Sequence, residues 1–141
     1  SDYSGVRVPL LALYTKMTSD IYRKGIVAEL RVQQELLSRG YNVYANVCDD
    51  SGVDLICEKG KKLIRVQVKS AAQTSLTRGL RRYAFRLGNS LVKPDFYVCV
   101  VPEGYLIMRG DWHSGKAFFW YPDSKKGHHR EILNNWAVLE K

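Results

Sequence analysis

The stretch that decides the fold, residues 53–69, reads VDLICEKGKKLIRVQVK. Two apolar runs flank Gly60 and Lys61, which is the pattern of a β-hairpin with a two-residue turn that has glycine first. A turn centred there sets Asp54 opposite Gln67. A carboxylate and an amide therefore stand where a plain core hairpin would carry apolar side chains.

Alternation along the second arm separates its side chains into two faces. The apolar face, which we expect in the core, comprises Ile64, Val66 and Val68. The other face carries Gln67 and Lys69, close to Asp54. Carboxylate and amide oxygens are hard ligands that suit Mg²⁺. A lysine beside the metal can orient or deprotonate a water, so the set fits metal-assisted hydrolysis of a phosphodiester.

The segment Ser19–Arg39 predicts a helix, with polar residues 18–20 as caps and Gly40 as the stop. At about 100° per residue, the helix has one broad apolar face. That face comprises Ile21, Tyr22, Gly25, Ile26, Ala28, Val32, Leu36 and Leu37. Glu29 lies near its middle, where a carboxylate is costly unless it is paired or bound. Packing of this helix on the hairpin would bring Glu29 to the same polar end.

The other segments complete a mixed domain. Strands are predicted at Tyr41–Val47, Val53–Glu58, Lys62–Ser70, Arg81–Leu87, Phe96–Val101, Tyr105–Arg109 and Ala117–Tyr121, a polar loop at 71–80, and a helix at Arg130–Leu139. Residues 1–17 fit either a short helix or an edge segment. The order of elements predicts one α/β (α+β) domain over residues 1–141, with a central mixed sheet flanked by helices.

Composition points to an anionic partner. The 141 residues carry a net charge of +8, from 22 basic and 14 acidic side chains, which favours a polyanion such as nucleic acid. Three cysteines without a CxxC pair predict buried thiols in a reducing, cytoplasmic setting. Histidine and cysteine spacing predicts no zinc site, and no apolar run reaches the length of a membrane span.

Basic residues follow the hairpin in two stretches. The predicted DNA contacts are Ser70, Arg78, Arg81, Arg82, Arg86, Lys125 and Lys126. Arginines near a phosphodiester-cleaving site can grip backbone phosphates. The alternatives are a solvated strand edge for the first stretch and an ordinary surface loop for the second.

Three motifs together resemble the PD-(D/E)xK nuclease superfamily. They are GIVAELRVQQELLSRGYNV at residues 25–43, then GVDLI, then VQVKS, with a weaker likeness in DFYVCVVPEGYLIM at 95–108. The pattern is similar to the branch that contains archaeal Holliday junction resolvases and the cyanobacterial group I intron homing endonuclease. The resemblance implies a restriction-endonuclease-like core and a DNA endonuclease that uses Mg²⁺, with Mn²⁺ able to substitute.

Site residues follow from the resemblance at matching positions. It implies that Asp54 is the central metal ligand, Glu29 the assisting helix carboxylate and Lys69 the catalytic lysine. Gln67 stands where most members have Glu or Asp, and the backbone carbonyl of Val68 also faces the metal. Without the resemblance, Asp54 could instead pair with Lys69 or Arg65 on an exposed sheet face. Gln67 could then face solvent, and Glu29 could form a helix salt bridge.

The sequence departs from the family pattern at two positions. Val53 replaces a proline that contributes no ligand, and Gln67 removes one negative charge while keeping a weaker oxygen ligand. Glutamine at this position is a known feature of the intron endonuclease branch. Pro94-Asp95 follows the lysine, in the wrong order for the motif, so we expect Asp95 to cap or start a strand.

Three functions remain open from the sequence: a homing-type enzyme that cuts both DNA strands, a junction resolvase, and a DNA-binding module that has lost catalysis. A chain of this length has a diameter of roughly 37 Å, about one turn of DNA. Cutting both strands of a long site would therefore need a homodimer or homotetramer.

Overall fold

The computed structural model describes residues 10–48, 52–71, 73–88, 92–112 and 115–141. Its first element, α1, spans Leu10–Ser38, so the caps predicted at residues 18–20 are wrong and lie inside the helix. The predicted stop is confirmed, because Gly40 has a φ of 88°. The Tyr41 N–H donates to the Leu36 carbonyl at 3.1 Å, which closes the helix end as glycine commonly does.

The strands in the described residues form two sheets. They are β1 Asn42–Ala45, β2 Leu55–Lys59, β3 Lys62–Ser70, β4 Gln73–Thr77, β5 Leu80–Arg86, β6 Phe96–Val101, β7 Gly104–Arg109 and β8 Ala117–Trp120. The five-stranded sheet has the order β1-β2-β3-β6-β7, and the three-stranded sheet has the order β4-β5-β8. Only β3 and β6 pair in parallel among these strands, so the larger sheet is mixed, as predicted.

The polar loop predicted at 71–80 is wrong, because most of it forms β4 and the start of β5. The two strands meet at Arg78 and Gly79, whose φ values are 52° and 78°. Positive φ at both turn residues is the mirror-type turn of tight hairpins. Arginine rarely occupies the first of these positions, so the turn had no sequence signature.

The single C-terminal helix predicted at Arg130–Leu139 is also wrong. The structure has a short helix α2, Gly127–Glu131, and a 3₁₀ helix, Trp136–Glu140. Between them Leu133 bridges to Leu106 of β7, and Asn134 has a φ of 53°. Docking of this segment against the sheet edge replaces continuous helical hydrogen bonding.

The larger sheet has an apolar core on each face. On one face, α1 packs through Ala28, Val32 and Leu36 onto the Ile64, Val66 and Val68 side of β3. The other face meets the smaller sheet, and the largest residues there are Tyr83, Phe85, Tyr97, Phe118 and Trp120.

The predicted apolar face of α1 is only partly buried. Four residues expected in the core, Ile21, Tyr22, Ile26 and Leu37, are 69%, 65%, 40% and 58% exposed. The helix of 29 residues is roughly 44 Å long, while β3 is roughly 30 Å long, so the sheet cannot cover all of it. No helix among the described residues is long and apolar enough to span a membrane.

Candidate active site

The hairpin pairs as predicted from β2 to β3, with Leu55 opposite Val66 and Ile56 opposite Arg65. The pattern changes at Asp54, one residue before β2. Its N–H donates to the Val66 carbonyl at 3.0 Å, so Asp54 and Leu55 share one partner residue, as in a β-bulge. The predicted pairing of Asp54 with Gln67 is therefore wrong, because the regular pairing of β2 with β3 ends at Leu55 and Val66.

The Asp54 carboxylate is held by the backbone of β3. Its Oδ2 accepts the Val68 N–H at 2.8 Å. A carboxylate fixed by a main-chain donor has a defined orientation, and a hydrogen bond to a charged acceptor is stronger than one between neutral groups. Arg65, a possible partner from the sequence, instead pairs with Asp95 at 3.3 Å.

Gln67 is 9% exposed, which excludes the solvent-facing alternative. Its Oε1 is buried and has no hydrogen-bond partner in the structure. A buried polar atom without a partner costs about 1–3 kcal/mol, so such an atom calls for a ligand, an ion or a water. Gln67 therefore offers an oxygen that is ready to bind a cation.

Lys69 is half-buried on the same face of β3, and its register partner on β6 is Cys99. Burial raises the pKa of the Cys99 thiol well above its usual range, against the opposite effect of the Lys69 charge. The thiol is therefore neutral at ordinary pH. The Lys69 ammonium thus has a neutral residue as its register partner on β6.

Glu29 is half-buried on the part of α1 that borders this end of β3. The position of that part is set by Lys24, whose Nζ donates to the Ala71 carbonyl at 2.9 Å. Because α1 covers the Val68 face, Glu29 approaches from the opposite side of β3 to Gln67 and Lys69. The structure thus holds Asp54 against β3 by a hydrogen bond, and it places Glu29 on the α1 side of the same strand.

The donors at this end fit a hard divalent cation. The described residues hold no group of three or more His, Cys, Asp or Glu side chains that could bind a metal. The candidate set instead combines the carboxylates of Asp54 and Glu29 with the Gln67 amide oxygen and the Val68 carbonyl. All four are oxygen ligands, which Mg²⁺ prefers.

The predicted DNA contacts in and just after the hairpin occupy different surroundings. Arg78 and Arg86 are exposed, and Ser70 is half-buried at the end of β3. The Arg82 guanidinium stacks 4.6 Å from the centre of the Phe119 ring. Arg81 binds Asp123 at 3.0 and 3.2 Å and Glu103 at 3.4 Å, a network that the sequence did not reveal.

The second stretch lies next to the first. Lys125 and Lys126 line the same groove as Arg78, although more than 40 residues separate them in sequence. The pairing of β5 with β8 causes this convergence, because it sets the loop after β8 beside the β4–β5 turn. No local pattern could have indicated it.

Comparisons with known proteins identify the family and the fold. A family model described as PD-(D/E)XK endonuclease matches residues 18–88. A bacterial homing endonuclease, I-Ssp6803I, has a similar fold, with a TM-score of 0.68 at 21% identity over 82% of this chain and 88% of that chain. No curated protein matches the chain. The family match covers half of the sequence, including the hairpin and its flanking helix, and the chain belongs to the PD-(D/E)XK endonuclease family.

Proposed function

We propose that the protein is a Mg²⁺-dependent DNA endonuclease that hydrolyses phosphodiester bonds, with Mn²⁺ able to substitute. Asp54, Gln67 and Glu29 would hold the metal, assisted by the Val68 carbonyl, and Lys69 would position the attacking water. The observation that carries this proposal is the buried, unpartnered Gln67 Oε1, one residue along β3 from the backbone N–H that holds Asp54.

Each protein group has a distinct part in this reaction. When bound, Mg²⁺ would polarise the phosphoryl oxygen and favour ionisation of a coordinated water. The Val68 N–H holds the Asp54 carboxylate, so its orientation is fixed before the substrate arrives. Lys69 carries the ammonium that can hold the attacking water or the developing phosphate charge.

The homing type is our first choice for the mode of cleavage. The fold similarity to I-Ssp6803I supports it, and so does glutamine at position 67. A homing-type enzyme should cut both strands of one long duplex site. A junction resolvase should instead nick four-way junctions symmetrically, with little preference for duplex sequence.

Cleavage of both strands calls for a homodimer or homotetramer. The exposed apolar residues of α1 support such an assembly, because exposed apolar surface on a helix can mark an interaction site. The most exposed are Ile21, Tyr22, Leu37 and Leu30. Light scattering at micromolar concentration should give a multiple of the chain mass, and a monomer would contradict the assembly.

The deciding experiment compares the wild type with Lys69→Ala. A library of random duplexes is first enriched for binding, and the selected duplex and a labelled four-way junction are then incubated with Mg²⁺ or EDTA. We expect Mg²⁺-dependent double-strand cleavage of the duplex by the wild type alone. Preferential nicking of the junction would favour the resolvase, and salt-sensitive binding without cleavage would leave a DNA-binding module.

Gln67 is the residue that makes an inactive module a real alternative. If the wild type is inactive and Gln67→Glu creates Mg²⁺-dependent cleavage, the module is supported. Our proposal predicts that Gln67→Leu, which keeps the size but removes the oxygen, abolishes cleavage by the active wild type. It also predicts that Gln67→Glu lowers the Mg²⁺ concentration at half-maximal rate, because a carboxylate binds Mg²⁺ more strongly than an amide.

A further inference from the structure

A groove lies between the β4–β5 turn and the loop after β8. Its volume is about 910 Å³, and it is bordered by the exposed cations Arg78, Lys125 and Lys126. Tyr121 and the buried His129 line the same groove. It combines a basic rim with an aromatic wall, and Asp54 is not among the residues that line it.

Arg78 occupies a strained backbone position. Its φ is 52°, in the left-handed region that disfavours most side chains, and asparagine or glycine is the usual choice at this turn position. Either residue would make the turn at lower conformational cost. An arginine kept at a position that penalises it indicates a use for its charge.

The groove keeps its positive charge because its acidic residue is already engaged. Asp123 binds Arg81 through two hydrogen bonds of 3.0 and 3.2 Å. That hydrogen bonding and the nearby guanidinium charge lower the pKa of Asp123, against the effect of burial. Arg81 therefore neutralises Asp123 and ties the loop that carries Lys125 and Lys126 to β5. The three rim cations stay available to an anion.

We infer that this groove binds backbone phosphates of DNA at a distance from the cleaved bond, with Arg78 as the central contact. The inference rests on the proposed endonuclease function and assigns one of its binding sites. Arg78 lies nine positions after Lys69 in the chain, a span of at most about 32 Å, which is within one turn of DNA. The groove would therefore fix the duplex within one turn of the cleavage position.

The sharpest test is Arg78→Asn, because asparagine suits the turn while removing the charge. We expect a higher melting temperature together with roughly tenfold weaker binding to the selected duplex. The salt dependence, as the slope of log K against log salt, should fall by about 0.9 for each phosphate that the variant no longer neutralises. At limiting DNA concentration, cleavage should slow in proportion to the lost affinity. Lys61→Asn, in the β2–β3 turn, is the matched removal of one exposed cation from another hairpin.

The Lys125→Asn/Lys126→Asn double variant extends the test to the facing loop. Phosphate ethylation interference should show a discrete group of phosphates, within one turn of the cut, that matter to the wild type and not to the variants. If Arg78→Asn weakens binding no more than Lys61→Asn, the inference is overturned. It is also overturned if ethylation interference shows the same phosphates for the wild type and for the variants. A wild type that binds no DNA would sink the proposed function itself.

Discussion

The polar residues of the two sheets differ in how deeply they are buried. In the five-stranded sheet the candidate active-site groups lie on buried or half-buried strand ends, and Gln67 is only 9% exposed. In the three-stranded sheet most of the basic groups are exposed and Arg82 is half-buried; Arg81 pairs with carboxylates and Arg82 stacks on an aromatic ring. Burial of a polar group costs free energy, but it also holds the group in one position, which catalysis requires. Exposed charges instead suit the long-range attraction of DNA. Changes to the larger sheet should therefore alter rate, and changes to the smaller sheet should alter affinity or stability.

The largest effect is expected from Lys69→Ala. We predict a loss of at least about 10³-fold in single-turnover cleavage, equivalent to roughly 4 kcal/mol of transition-state stabilisation, because the water loses its ammonium partner. DNA affinity should change by no more than the effect of one phosphate charge pair. Quenched-flow cleavage and equilibrium binding on the same duplex measure the two quantities separately.

Lys61→Ala is the control for this variant, since Lys61 lies at the other end of β3 in an exposed turn. It should cleave like the wild type. A Lys69→Ala variant that retains full cleavage, or one that loses binding and rate in equal proportion, would remove the distinction between the two sheets.

The second prediction concerns stability. Phe85 is fully buried between the sheets, and Phe85→Ala should lower the free energy of unfolding by about 3–5 kcal/mol through reduced burial and a cavity. Phe119 on the neighbouring β8 is 41% exposed, so Phe119→Ala should cost much less. Urea unfolding followed by fluorescence gives both values. Equal losses in the two variants would show that the interface between the sheets is not a packed core.

The two sheets also differ in how well their strands could be predicted from the sequence. The β2–β3 hairpin was predictable in position and in most of its register, because apolar alternation and a Gly-Lys turn are local signals. Pro94-Asp95 was also interpreted correctly, since Asp95 precedes β6 and its carboxylate accepts the Arg65 N–H at 2.8 Å. By contrast, β4 is an edge strand of polar residues that ends in an arginine turn. Neither its alternation nor its turn residue distinguishes it from a loop.

Non-local contacts account for the other differences. The broken C-terminal helix depends on pairing with β7, and the basic groove depends on pairing between β5 and β8. The irregular pairing at Asp54 arises where the Asp54 carboxylate, instead of a backbone carbonyl of the neighbouring strand, accepts the Val68 N–H. The periodicity of apolar residues indicates the secondary structure of a single segment, whereas these features depend on which segments of the chain pack together.

A third, smaller effect is expected with pH. Burial, with the charges of His128 and Lys126, lowers the pKa of His129 below its usual 6.5. Between that lowered pKa and 6.5 the unfolded chain binds more protons, so stability should fall as pH falls through this window. His129→Asn should remove that dependence, whereas the exposed His128→Asn should flatten it only in part, because burial lowers the pKa of His129 more than the His128 charge does. Melting temperatures from pH 8 to pH 5 provide the test, and a wild-type curve that is flat there would contradict it.

The smallest effect belongs to Asp95, at the start of β6 in the larger sheet. Burial alone would raise its pKa, but the Arg65 N–H and guanidinium outweigh burial and lower it from 3.8. A lowered carboxyl pKa contributes stability above the unfolded value of 3.8, and that stability is lost as pH falls through the folded value. Asp95→Asn should therefore destabilise the protein near neutral pH and show less of the loss seen in strong acid. The effect should be below about 1 kcal/mol, since the Asp95 side chain is 41% exposed and its ion pair is screened by solvent. Asp111→Asn, nearby and exposed, is the control, and an equal acid response in both variants would mean that the Arg65 bonds do not stabilise the fold.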